Sequence, residues 1–147
     1  MELKQFILRV VVALIAGMAI GLEREIHHKN AGIRTNGLVS LGSAIFVLLS
    51  YGMIQDHGGD ITRIIGQVVT GVGFLCAGVI MHRGGNPQGL TTAATVWCSA
   101  GIGCMAAAGY FAETAIACGI VLFVNGVMHV VDDWIDKRSK KSPDLPK

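Results

Sequence analysis

An all-α polytopic bundle of about five transmembrane helices is the fold class this sequence predicts, and three observations predict it. Of the 147 residues, 52% are hydrophobic and only 15% charged, where soluble domains carry about 25% charged residues. The charges gather in short segments between apolar runs, which is the pattern of closely connected membrane helices. Two of the runs, residues 66–80 (GQVVTGVGFLCAGVI) and 89–103 (GLTTAATVWCSAGIG), are crowded with Gly, Ala, Thr, Ser and Cys. In water each glycine penalises a helix by about 1 kcal/mol relative to Ala. In lipid the alternative to a helix is an unsatisfied backbone, so the helix persists, and small faces let two backbones approach. Gly66, Thr70, Gly73 and Ala77 share one helical face, and Ala94, Cys98 and Gly101 repeat the device. These seven are the expected packing residues at the centre of the bundle.

The first span is predicted at residues 5–22. It starts almost at the N-terminus and lacks a small-residue cleavage site, so it reads as a span and not as a signal peptide. Ala13, Gly17 and Gly21 are spaced by four, a packing ladder. Arg9 lies one step earlier on the same face. A charge there either has a function or snorkels to the interface. Residues 23–36 (EREIHHKNAGIRTN) form a basic loop through Arg24, Lys29 and Arg34. Glu23 and His27 stand at i, i+4, but no second ligand pair follows, so the loop reads as solvated. Asn36 is placed to cap the second span, predicted at 37–54.

A polar turn at 55–63 leads to the third span at 64–81. In the loop 82–90 (HRGGNPQGL), Gly-Gly and Asn-Pro stop one helix and start another. The fourth span follows at 91–108, and Gly109–Tyr110 is a tight connection to the fifth at 111–131. Residues 1–131 thus form the membrane domain, and 132–147 a polar, basic tail expected to fray. Cys76, Cys98, Cys104 and Cys118 all lie in apolar runs without a CxxC pair, and read as small packing residues. Orientation follows from the basic residues. Arg24, Lys29, Arg34, Arg83, Lys137, Arg138, Lys140, Lys141 and Lys147 fall on one side, and Lys4 and Arg63 on the other. The positive-inside rule places the N-terminus outside and the C-terminus inside.

No P-loop, HExxH or GxSxG motif is present, so no enzyme and no cofactor is expected. The expected partners are the lipid bilayer and other membrane proteins, with a homo-oligomer open and nucleic acid excluded. Three constellations could carry chemistry. Arg34 and Arg83 share a side with Thr91 and Thr92 at the start of the fourth span, where free amides and the helix dipole favour an anion or an acidic partner. The plainer reading is that Thr91 caps the helix and the arginines set orientation. His129, Asp132, Asp133 and Asp136 share a helical face, an oxygen-rich set suited to Mg²⁺ or Ca²⁺, although Lys137 and Arg138 beside them can balance the charge. Arg9 and Glu113, both near outer span ends, suit a structural ion pair or an ion path.

Residues 21–25 (GLERE), 31–35 (AGIRT), 66–80 and 89–103, in that order, resemble the MgtC/SapB family of bacterial inner-membrane proteins. The resemblance runs from about residue 6 to 131, and Cys76 stands where the family pattern has Gly. It implies the cell inner membrane as location, and Glu23, Arg24, Arg34 and Thr35, beside Arg83, Thr91 and Thr92, as partner-binding candidates. It further implies adaptation to low Mg²⁺ and survival inside host cells, a virulence-associated role. It implies that this role is exercised by regulating other membrane machines, including ATP synthase, with ATP synthase or a small regulatory membrane peptide as expected partners. By this resemblance the chain is expected to be a short form without the cytoplasmic C-terminal domain of the better-known virulence members. The alternative class is an ion or small-solute (Mg²⁺) transporter or transporter subunit. The scarcity of ionisable residues within the spans favours the regulator.

Overall fold

The computed structural model describes residues 1–83 and 86–139, with side chains at 1–54, 58–80 and 87–128. Five helices follow one another: α1 (Leu3–Ile26), α2 (Ile33–His57), α3 (Ile61–Val79), α4 (Leu90–Ala108) and α5 (Phe111–Ser139). Among the described residues, all five are long and apolar enough to cross a membrane. The shortest, at 19 residues, rises about 28 Å at 1.5 Å per residue, close to the thickness of the hydrocarbon core. Between α3 and α4 the loop forms a hairpin, β1 (Met81–Arg83) antiparallel to β2 (Asn86–Gln88), with Met81 opposite Gln88.

α4 is the centre, touching each of the other four helices. α1, α2 and α4 form the tight core. A Cβ added to Gly17 would sit 2.5 Å from the Asn36 carbonyl oxygen and 2.6 Å from Ser40 Cβ, and one on Gly21 would sit 2.5 Å from Ile33 Cα. A Cβ on Gly103 of α4 would strike the Ser40 carbonyl. The expected ladder of Ala13, Gly17 and Gly21 is therefore the seam between α1 and α2. Polar groups tie the same core together through hydrogen bonds, as burial requires. Ser40 Oγ donates to the Ala13 carbonyl at 2.7 Å, and Ser99 Oγ lies 2.9 Å from Asn36 Oδ1, joining α4 to α2.

The small faces expected to lie at the centre do not. Thr70, Ala77 and Ala94 are exposed and Cys98 half-buried, and a Cβ on Gly66, Gly73 or Gly101 would meet nothing within 4 Å. α4 packs through other faces, with Thr92, Val96, Ser99 and Gly103 buried. α3 turns Val68, Val72 and Cys76 inward against Val96 and Ala100. Small residues occur all round both helices, and lipid is as apolar as a core, so spacing alone does not tell which small face meets protein. α3 is held lightly: beside it an apolar groove of about 530 Å³ opens between α2 and α3, lined by Leu38, Phe46, Ile64 and Leu75.

Two helix ends also differ from expectation. α2 begins at Ile33, so Asn36 lies inside the helix and does not cap it. Its amide donates back to the carbonyls of Ala31 and Gly32. Glu25 serves the start of α2 instead, its Oε2 accepting the Ile33 amide at 3.1 Å, a carboxylate at the positive helix end. α5 continues as helix to Ser139, past the start of the expected tail at 132. At α3, Asp60 is the N-cap and accepts from the Thr62 amide at 2.8 Å and its hydroxyl at 2.7 Å. These bonds hold the Asp60 carboxyl below its ordinary pKa. Three of the four cysteines pack as expected: Cys104 and Cys118 are buried, and Cys76 Sγ lies 3.2 Å from the Ala93 carbonyl across the α3–α4 contact.

Candidate functional site

Where α1 ends, the chain stops in a Schellman turn. The His28 amide donates to the Glu25 carbonyl and the Lys29 amide to the Arg24 carbonyl, at 3.1 and 2.9 Å, with His28 left-handed at φ 52°. This turn sets Lys29 beside the last turn of α1, which carries Glu23 and Arg24. Arg24 is only 4% exposed and reaches α4, its Nη2 donating to Thr92 Oγ1 at 2.7 Å. Glu23 faces the other way along its own helix, with Oε1 3.1 Å from His27 Nδ1.

α4 begins at the same place. Its N-cap is Gly89, left-handed at φ 89°, and a Cβ there would lie 2.6 Å from the Val79 carbonyl oxygen, so glycine is required on both counts. Glycine brings no side-chain cap, so the amides of Leu90, Thr91 and Thr92 have no acceptor within the helix. From α5, Asn125 completes the wall, its Oδ1 3.4 Å from Thr95 Oγ1.

These groups enclose a cleft of about 480 Å³, lined by Glu23, Arg24, Lys29, Thr91, Thr92 and Asn125, with apolar sides from Pro87, Leu90 and Met128. That volume is within the range of small-ligand sites. Three of these lining residues carry a buried polar atom with no hydrogen-bond partner among the described residues: Arg24 Nε, Asn125 Nδ2 and Glu23 Oε2. A buried polar group left unpaired costs about 1–3 kcal/mol, and more when charged. The Arg24 guanidinium also stands against the positive end of the α4 dipole.

Of the expected site residues, the structure brings Glu23, Arg24, Thr91 and Thr92 together. Arg34 and Thr35 are exposed on the first turn of α2 and do not line the cleft. The Arg83 side chain lies outside the described residues, as do those of His129, Asp132, Asp133 and Asp136. Among the described residues no cluster of three or more His, Cys, Asp or Glu could hold a metal. Arg9 does not pair with Glu113, which is exposed. It donates from Nη1 to the Ala107 carbonyl at 2.7 Å and lies 5.9 Å from the Tyr51 ring centre. The cation thus serves the negative end of α4, whose last carbonyls lack donor partners within the helix. Asn125 and Lys29 were not among the expected site residues. A lone Asn in the apolar run of span five was the available signal, since an amide in lipid needs a partner.

Five apolar helices around a polar cleft at one end make this a multi-pass membrane protein. The chain belongs to the MgtC family, whose family model matches residues 10–134. It is 47% identical over 120 residues to Protein MgtC of Salmonella typhimurium, covering 82% of this chain and 51% of that protein. Protein MgtC of Brucella abortus is 43% identical over 116 residues, 79% of this chain and 48% of its own length. An uncharacterised protein of Synechocystis is 39% identical over 145 residues, 99% of this chain and 61% of that protein. The chain therefore spans about half to three-fifths of the length of these relatives. No solved structure matches it.

Proposed function

We propose that this chain is a non-enzymatic regulator of other machinery in the bacterial inner membrane, acting in adaptation to low Mg²⁺ and survival inside host cells. One observation carries the reading against transport: the α1–α2–α4 seam at the centre of the bundle is tightly packed. Asn36, Ser40 and Ser99 are fully buried at this seam, where Ser40 bonds α1 and Ser99 of α4 bonds Asn36 of α2. No Asp, Glu, Lys or Arg occurs between residues 10 and 22 of α1, or anywhere in α4. A pathway for an ion needs such groups or open polar backbone along its length. The charged groups sit at the ends instead, where a partner can reach them. ATP synthase or a small regulatory membrane peptide are the partners the family resemblance suggests, with exposed Arg34 as a contact point.

Pure protein in liposomes should then pass no Mg²⁺, and saturable uptake in proportion to protein would establish the transporter reading instead. In cells, Arg34→Ala should impair complementation of a deletion strain's growth in low Mg²⁺ at normal membrane abundance. Arg34→Lys should restore it only in part, because Lys cannot form a bidentate fork.

A further inference from the structure

We propose that the cleft between α1, α4 and α5 binds a phosphate group that brings its own hydrogen-bond donor. That chemistry is shared by protonated inorganic phosphate and the head of an ethanolamine phospholipid. Arg24 lines the cleft and is only 4% exposed, yet its buried Nε has no partner among the described residues. Asn125 Nδ2, from another helix, is in the same condition. The uncapped amides at the start of α4 open on the same space, and Lys29 lines it. Arg24 and the α4 N-terminus are both positive, so what they share is an anion. Donors converge from three helices, which a tetrahedral oxyanion meets from more directions than a planar carboxylate.

Glu23 Oε2, the unpaired buried side-chain acceptor among the described residues, selects further. It repels a fully deprotonated oxyanion and needs an O–H or N–H. A phosphate hydroxyl supplies one, and so does an ethanolamine ammonium. A choline head has no N–H to give. A bare divalent cation would satisfy Glu23 but would face the Arg24 guanidinium. Arg24 lies in the last turn of an apolar span, which sets the cleft at the boundary between acyl chains and head groups, within reach of both sources.

The test follows the Arg24 Nε–H signal by NMR in the whole chain labelled with ¹⁵N-arginine. In one arm, inorganic phosphate is titrated into protein in phospholipid-free detergent. In the other, nanodiscs of phosphatidylethanolamine with phosphatidylglycerol are compared with nanodiscs of phosphatidylcholine with phosphatidylglycerol at equal charge. A saturable shift with phosphate identifies the free anion, and a shift specific to ethanolamine lipid identifies the head group. Asn125→Leu, which leaves the Arg24–Thr92 bond in place, should weaken the response about tenfold, or about 1.4 kcal/mol. Glu23→Leu should abolish the preference for ethanolamine over choline while a response remains. A wild-type Arg24 signal indifferent to phosphate and to lipid head group overturns the proposal.

Discussion

Asn36 does more at the core of this protein than a helix cap would. Its amide group turns back to the carbonyls of Ala31 and Gly32, and its oxygen holds Ser99 of α4. One side chain thereby fixes the turn before α2 and ties two helices together. Interhelical polar contacts in membranes are worth about 0.6–2 kcal/mol. Asn36→Ala should lower the thermal unfolding midpoint in detergent clearly. Ser43→Ala should scarcely move it, since Ser43 Oγ bonds only the Val39 carbonyl of its own helix. Equal midpoints for the two variants would show that the Asn36 contacts add nothing to the fold. Arg9 follows the same logic at the opposite end: a cation in a membrane helix satisfied by the end of another helix, and not by a counter-charge.

Helix by helix, the contrast is between glycines that touch backbone and glycines that do not. Gly17 meets α2 and Gly103 meets the Ser40 carbonyl, whereas Gly66 and Gly73 face outward from α3. Adding one methyl group at Gly17 forces α1 and α2 apart, an overpacking that costs about 1–3 kcal/mol. Gly17→Ala should therefore destabilise the bundle, and Gly73→Ala should leave it as stable or slightly more so, because Ala is the better helix former. The comparison is read from thermal unfolding of both variants in one detergent. Greater damage from Gly73→Ala would mean that α3 packs through its small face after all. The helix termini obey the same local economy of charge: Glu25 at the start of α2, Asp60 at the start of α3 and Arg9 at the end of α4 each oppose a dipole end.

Across the whole molecule, five spans put the α1–α2 turn, the β-hairpin and the cleft at one end. Arg9, the α2–α3 turn and the α4–α5 connection lie at the other. Among the described side chains Arg24, Lys29 and Arg34 belong to the cleft end, and the sequence assigns nine basic residues in all to the loops and tail of that side against Lys4, Arg9 and Arg63 on the other, so that end is expected to face the cytoplasm. Reporter fusions at Lys147 and at Asp60 should report opposite sides of the membrane, with Lys147 inside. Both on one side would break the five-span topology, and exchange of sides would invert it. A cytoplasmic cleft is also the one that cellular phosphate and inner-leaflet head groups can reach.

The number of spans, their order and their connections were legible in the chain because hydropathy over about twenty residues is a local property, set by lipid and not by neighbours. The α1 ladder of Ala13, Gly17 and Gly21 was legible for a related reason: it is the one small face on a helix whose other sides are bulky, so it had a single place to pack. On α3 and α4 small residues occupy several faces. Which of them met protein depended on the volumes of Val68, Val72 and Val96, which fill the seam where Gly73 and Ala77 were expected. The cleft was half legible. Glu23, Arg24, Thr91 and Thr92 stood out as residue types, but Arg34 was grouped with them by side of the membrane alone. Joining Arg24 to Thr92 across 68 residues and to Asn125 on α5 required three helices to converge. Periodicity within one helix carries no information about the rotation of another, and packing alone supplies it.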